Sequence, residues 1–375
     1  MNLKILSSHM VNIPKVRDIK VIESSGNNEW DSELKKINAS VFLTYAWLDA
    51  INSKESKPVY LKFLADHEVV GFIAGLIRPV RKSSRKQLFF YSGPACADKE
   101  PTLFDEFRKA LLDYAKANGF HRLTIQSNDV SFYSKTSLKK FITRERSEFY
   151  FDLTIDFQEF ESQIERDTRR RIRKAKKNNL VFGSGYSDEL LDSLLLLMKS
   201  TFDIRLSKDY LSYNMFSMQF LDRQVMRKLL DNRTAALYYV KSGNEIVSMQ
   251  FVLTINQRAY GIYMGTNTLG YKLSAPSLLF YQIVYNCKQN GAYIYNIGGV
   301  PTGNKNKGIR EFKKNLGAKT VQSCVETTDF LLFPLKILNT LLIIRRIILG
   351  FYIPWIIKKQ LKKIFNLFFK DIDHV

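Results

Sequence analysis

The residue types best suited to chemistry lie between positions 293 and 317, in YIYNIGGVPTGNKNKGIREFKKNLG. Tyr293, Tyr295 and Ile297 alternate as one face of a strand. Gly298 and Gly299 follow, and they let the chain turn sharply or let a ligand approach the backbone. Lys305, Lys307, Arg310, Lys313 and Lys314 then surround the start of a helix expected near Gly308. A helix start offers unpaired N–H groups and a dipole that favours anions, so the segment reads as an anion grip. It is not a Walker loop, because GxxxxGK[ST] is absent. No Ser-His-Asp or Cys-His arrangement is readable either. A lysine beside bound substrates can stabilise the charge developing on a carbonyl during acyl transfer, with much of the rate coming from positioning. The plain alternative is a turn followed by a solvated helix.

The rest of the chain must position these groups. Its 375 residues suffice for two ordinary domains, and 45% hydrophobic with 25% charged residues is a globular composition. The formal charge of +21 favours anionic partners such as nucleic acid, anionic lipid or phosphorylated substrates, without choosing among them. Cys96, Cys287 and Cys324 show no short spacing, so a disulfide framework is not expected. His9, His67, His121 and His374 are scattered, and no zinc site is expected. The N-terminal residues lack a signal peptide's apolar core, which places the body of the protein in the cytoplasm.

An internal repeat organises the chain. FFYSG (89–93) and NGFHRLTI (118–125) return as GIYMG (261–265) and NGAYIYNI (290–297). Tyr91 and Tyr263, Gly93 and Gly265, Asn118 and Asn290, Gly119 and Gly291, and Ile125 and Ile297 each stand 172 residues apart. Upstream of each copy lies a probable hairpin, one turning at Asp66-His67-Glu68 and one at Ser242-Gly243-Asn244. Between the copied segments lies a helix; the first shows Leu103, Phe104, Phe107, Leu111, Tyr114 and Ala115 on one face. The second is expected to be N-capped by Ser274 with Pro276 at its start, and both end at Asn-Gly. Each copy therefore reads as hairpin, strand, helix, strand.

Three segments stand outside the repeat. In 159–180, Phe160, Ile164, Ile172 and Ala175 fall along one helical side, and seven of the nine residues from Arg169 to Lys177 are basic. This is either a solvated helix or a surface for RNA phosphates or an anionic membrane. A Leu-rich helix over 189–202 reads as core, and Arg205 follows it, with an ordinary surface or ion-pair role as the alternative to facing a cleft. The tail, 330–370, is apolar between cations; Lys336 and Arg345-Arg346 interrupt it, and Ile347 to Ile357 is an eleven-residue run containing Pro354. A membrane span needs about 20 mostly apolar residues, so a monotopic anchor fits better than a span. Packing onto the body is the competing structural role.

The duplicated unit, TRRRIRKAKKNNL at the joint and NKGIREFKKNLGA near the end resemble the FemABX family over about residues 20 to 325. That resemblance implies two GNAT-like domains and transfer of amino acids from aminoacyl-tRNA to peptidoglycan precursors. By the segment Gly308 to Lys313, it places Lys313 at the family's catalytic lysine; apart from that segment, Arg205 is matched with the family's precursor-phosphate arginine. The chain departs from the pattern in lacking a long coiled-coil arm and in running into LTIQSNDV where the family has Asp-Pro. SAPSLLFYQIVYNCKQNG also resembles GNAT-like acyltransferases of polysaccharide clusters, which use acyl-CoA, although the signature [QR]xxGx[GA] is not evident.

The expectation is therefore an α/β protein with mixed sheets: two tandem GNAT-like domains, 1–157 and 158–329, and a membrane-associating amphipathic tail, 330–375. Lys313 is the catalytic candidate. Arg205, Tyr263, Asn296, Gly298, Gly299, Lys305, Lys307, Arg310 and Phe312 form the candidate substrate-binding set. The donor is aminoacyl-tRNA or acyl-CoA, with no tightly bound cofactor and no metal. The partners are a cell-envelope precursor, tRNA on the first donor, and the anionic inner face of the cell membrane, at which the protein would be peripheral.

Overall fold

The computed structural model describes residues 18–80, 84–97, 100–129, 134–207, 221–301 and 307–350. Its elements run β1 (Ile19–Ser24), α1 (Asn28–Lys36), α2 (Tyr45–Ala50), β2 (Lys57–Ala65), β3 (Glu68–Pro79), β4 (Lys86–Phe90), α3 (Pro101–Ala117), β5 (Arg122–Gln126) and β6 (Phe141–Asp152). They continue α4 (Phe157–Gln163), α5 (Arg166–Lys177), β7 (Val181–Gly185), α6 (Asp188–Leu206), α7 (Arg223–Asp231), β8 (Ala235–Ser242), β9 (Glu245–Ile255), β10 (Arg258–Thr266), α8 (Thr268–Lys272), α9 (Ala275–Gln289), β11 (Ile294–Pro301), α10 (Lys307–Asn315), β12 (Lys319–Thr328) and α11 (Leu338–Gly350).

The strands form one mixed sheet in the order β1-β2-β3-β4-β5-β12-β6-β11-β10-β9-β8-β7. In the first half β2, β3 and β4 are antiparallel neighbours, and β5 joins β4 in parallel across α3. In the second half β8, β9 and β10 are antiparallel, and β11 joins β10 in parallel across α8 and α9. The hairpin turns use the residues that tolerate them. Asp66 and His67 both adopt positive φ (49° and 69°), and Gly243 does so at 58°. Gly119 (φ 74°) and Gly291 (φ 77°) terminate α3 and α9 in the left-handed region that a Cβ disfavours.

The centre of the sheet does not follow chain order. β12, the last strand, inserts between β5 and β6, and β6 pairs β11 on its other edge. Ten successive residues of β12 pair with β6, from Lys319 opposite Tyr150 to Thr328 opposite Phe141. Residues early and late in the chain thus share one hydrogen-bonded surface.

Side chains alternate across a strand, so the sheet feeds two apolar layers. Ala235 and Leu237 of β8 enter one, with the buried faces of α1, α2, α3, α6 and α7. Ala236, Tyr238 and Val240 enter the other, with Phe160, Ile164, Ile172, Ala175 and α9. The Leu-rich helix α6 contributes Leu191, Leu194, Leu197 and Met198 to the first layer, but Leu196 is 70% exposed.

Two local expectations change. The basic segment is two helices, because Glu165 leaves helical geometry and its carboxylate accepts from the Asp167 and Thr168 N–H groups, capping α5. Ser274 does not cap α9 through its side chain; it adopts φ 63°, because α8 ends just before it and the chain must reverse there. The tail is partly packed. Phe330 and Leu342 are buried against Val80, while Phe333, Ile337, Leu341 and Ile344 face outward. The tail residues 351–375 lie outside the described residues.

A buried ion pair in the middle of the sheet joins the early and late parts of the chain. Arg258 at the start of β10 grips the Asp129 carboxylate through Nη2 at 2.7 Å and Nε at 3.0 Å. It also donates to the Asp129 carbonyl at 3.0 Å and the Tyr293 hydroxyl at 2.9 Å. Both side chains are almost wholly out of water, at 2% and 0% exposure. Removing one partner strands a buried charge, which costs about 3–5 kcal/mol. Asp129→Ala is expected to lose stability of that order in urea unfolding, and a loss below about 1 kcal/mol would show that the pair does not hold the halves.

Candidate active site

Lys313 sits on the buried side of α10. Its helix is amphipathic, with Lys307, Glu311 and Lys314 exposed and Phe312 packed edge-to-face on Phe280 at 5.9 Å. Although charged, Lys313 is only 8% exposed. Its Nζ donates to the carbonyls of Ile297 at 2.6 Å and Gly298 at 2.9 Å, and lies 5.4 Å from the Phe149 ring centroid.

Those carbonyls are free because β11 bulges. Its pairing with β6 runs to Asn296 opposite Tyr150, then resumes with Gly299 opposite Glu148. The residues between leave the ladder, and their carbonyls turn to the lysine. Gly298 adopts φ 78°, which suits glycine. The Asn296 carboxamide holds the bulge from below, with Oδ1 accepting from the Gly298 N–H at 2.8 Å and Nδ2 donating to Glu148 Oε2 at 3.0 Å.

Glu148 is fully buried. It accepts from the Asp129 N–H at 2.8 Å, the Tyr260 hydroxyl at 3.0 Å and Asn296. Burial pushes its pKa up, and the Asp129 charge adds to this; the Asn296 bond, the Arg146 charge and the Asp129 N–H oppose it. Burial pulls Lys313 down to about 7; the Glu148 charge raises it and the Arg146 charge lowers it further. An amine of that acidity exchanges its proton near neutrality and can donate to an oxygen gaining negative charge.

The structure brings Lys313, Asn296, Gly298 and Gly299 together, with Phe312 and Arg310 on the same short helix. Lys307 is exposed and lies 3.7 Å from Glu311. Tyr263 is buried in the first apolar layer, opposite Phe251 of β9. Arg205 is half-buried in the last turn of α6. Lys305 lies outside the described residues. The sequence reading did not single out Glu148, Arg146 and Asp129, nor Arg258. Charged residues inside the strand TRERSEFYF were the available signal, since a strand that buries a carboxylate must supply it with partners. Among the described residues, no group of His, Cys, Asp and Glu could hold a metal ion.

Residues 162–314 match the acetyltransferase (GNAT) domain family. The likeness to a GNAT acetyltransferase domain is therefore a property of this segment. That segment runs from the start of the basic joint to the residue after Lys313, so it includes Asn296 and Arg258 but not Glu148. No curated protein sequence matches the chain. The fold is similar to the crystal structure of FemX, at TM-score 0.61 and 14% identity over 81% of this chain and 96% of that one. It is also similar to L-PGS from Bacillus licheniformis, at TM-score 0.50 and 15% identity over 81% and 92% of the two chains. The C-terminal domain of a putative lysylphosphatidylglycerol synthetase from Agrobacterium fabrum gives TM-score 0.50 and 11% identity over 80% and 90%. The fold likeness to these structures thus extends beyond the matched segment, over 80–81% of this chain.

A lysine held near 7 in the fold and near its ordinary 10.5 when unfolded carries a pH signature. Below about pH 7 both states are protonated and the folded state bears the full cost of the buried charge. Between about 7 and 10.5 the unfolded state binds the extra proton, so stability rises with pH. Lys313→Met is therefore expected to stabilise the protein most below pH 7, by up to about 5 kcal/mol, with the gain vanishing towards pH 10.5. Urea unfolding of both proteins across pH 6 to 10 checks this; a pH-independent difference would contradict a buried, depressed lysine.

Proposed function

We propose that the protein transfers an aminoacyl or acyl group onto an amine of a cell-envelope precursor, with Lys313 at the centre of the reaction. The observation that carries this reading is the buried Lys313 ammonium, held by two carbonyls of the β11 bulge inside the segment that matches a GNAT acetyltransferase domain. The acceptor nitrogen attacks the donor carbonyl, forming an N–C bond. The ester C–O bond of an aminoacyl-tRNA, or the C–S bond of an acyl-CoA, breaks, and the amine proton leaves with that oxygen or sulfur. Lys313 faces the carbonyl oxygen as it gains charge and stabilises it. Asn296, Gly298, Gly299, Lys307, Arg310, Phe312 and Arg205 remain the proposed substrate contacts, while Tyr263, buried in the first apolar layer, is read as core.

The halves are read as tandem GNAT-like units, 1–157 and 158–329, which would let two bulky substrates meet across the shared sheet. The likeness to FemX supports aminoacyl-tRNA as donor. The acetyltransferase family match favours the second reading, an acyl-CoA-dependent N-acyltransferase of polysaccharide biosynthesis. Label transfer from radiolabelled aminoacyl-tRNA and from acetyl-CoA onto an envelope-precursor extract separates the two, and transfer from acetyl-CoA alone removes the first. With either donor, Lys313→Ala is expected to lower kcat by about 100-fold or more, and unchanged turnover would place the chemistry elsewhere.

The work is proposed to occur at the cytoplasmic face of the membrane. No helix among the described residues is long and apolar enough to cross a membrane. The outward row of Phe333, Ile337, Leu341 and Ile344 instead suits a helix lying in the headgroup boundary, with the exposed Lys336 stem on the same segment. Substituting those four by Ser leaves Phe330 and Leu342 in place, and is expected to abolish sedimentation with anionic liposomes. Undiminished sedimentation would refute this row as the anchor.

A further inference from the structure

The bulge that holds Lys313 meets a second cation. Arg146 of β6 is half-buried, and its guanidinium lies so close to Gly299 that an added Cβ would stand 2.5 Å from Nη2 and 3.0 Å from Nε. Its Nη1 donates to the Asn128 carboxamide oxygen at 3.3 Å, near the long limit for such a bond. Its Nε is buried without an acceptor. Among the described residues Arg146 takes part in no ion pair, although Glu148 is two residues along the same strand face and spends its oxygens on Asp129, Tyr260 and Asn296. A half-buried arginine whose Nε is out of water with its N–H unused is costly unless an acceptor completes it.

We propose that Arg146 binds a phosphate-class oxyanion of a substrate at the Ile297–Gly299 segment, beside Lys313. The inference rests on the reading of Lys313 as the acyl-transfer centre and adds a substrate contact to it. Lys313 bonds the carbonyls of Ile297 and Gly298, and Arg146 covers the next residue, so both cations converge on one short backbone segment. A planar guanidinium is built for recognition of phosphate or carboxylate oxygens, and the Nη1 of this one makes only the long bond to Asn128. The exposed Lys307 and Lys314 on α10 add positive potential, which favours a multiply charged anion over a lone carboxylate. Gly299 is then needed for space, since any side chain there would push the guanidinium away. The charge of Arg146 also depresses the Lys313 pKa, a repulsion that a bound anion would relieve.

The test is calorimetric titration of the full-length protein with inorganic pyrophosphate, and separately with acetate, at pH 7 and low salt. Saturable pyrophosphate binding, tighter than acetate, is expected. Arg146→Gln should weaken it about 10-fold or more. Gly299→Ala should weaken it similarly by displacing the guanidinium, and Arg146→Lys should fall between. Lys109→Gln, on the exposed face of α3, should bind as the parent does. Equal affinity in the parent, Arg146→Gln and Gly299→Ala overturns the proposal, as does a preference for acetate or no saturable binding by the parent. If Arg146→Gln does not fold, Gly299→Ala carries the result. Binding is read without turnover, so the two readings fail separately. Turnover that survives Lys313→Ala removes the catalytic assignment, while pyrophosphate binding indifferent to Arg146 removes the anion site.

Discussion

Charge taken out of water must be met by opposite charge or by hydrogen bonds, and the middle of this sheet is organised around that requirement. Asp129, Arg258, Glu148 and Lys313 are all buried where β12, β6, β11 and β10 lie side by side. Arg258 is answered by Asp129, Glu148 by three donors, and Lys313 by two carbonyls. Each solution constrains the next, because Asp129 offers its carboxylate to Arg258 and its N–H to Glu148, while Asn296 joins Glu148 to the bulge that holds Lys313. Satisfied polar networks of this kind specify one arrangement, since a slipped strand would leave several buried groups unpaired at once.

The crossed strand order makes the network possible. If β6 stayed with its own half and β12 with the other, Glu148 and Lys313 would belong to separate sheets. Inserting β12 beside β5 and placing β6 against β11 brings a carboxylate from position 148 beneath a bulge at 297–298. The lysine is thereby set in a dry place where burial lowers its pKa to about 7, the range that the proposed acyl-transfer role calls for. A bulge beside a functional group is a common device, because the ladder must be interrupted for backbone carbonyls to face a side chain.

The electrostatics of the exposed surface are of another kind. Arg166, Arg169, Arg170, Arg171, Arg173, Lys174, Lys176 and Lys177 of α5 are all exposed, and the Glu165 N–H bonds the Asn315 carbonyl at 3.0 Å, joining α5 to the end of the Lys313 helix. Solvated charges of this sort steer anionic partners at long range and add little to stability. The buried network contributes to one structure, and the surface charge contributes to encounter.

Much of the local architecture was legible from residue types. Asp66-His67 and Gly243 mark the hairpin turns because they tolerate positive φ, and Gly119 and Gly291 end their helices for the same reason. The apolar side of α5 was visible in Ile172 and Ala175, and the basic GIREFKK segment drew attention to Lys313. Periodicity reports which side of an element is buried, because that depends on neighbours along the chain. It could not report that Lys313 faces inward while Lys314 faces water, that Ser274 turns left-handed between two helices, or that Glu148 and Arg146 lie against Gly299. The last of these depends on β12 entering between β5 and β6, which leaves β6 against β11 on its other edge. Such a pairing joins residues more than 160 positions apart, and it is decided by which buried polar groups can find partners once the sheet is assembled.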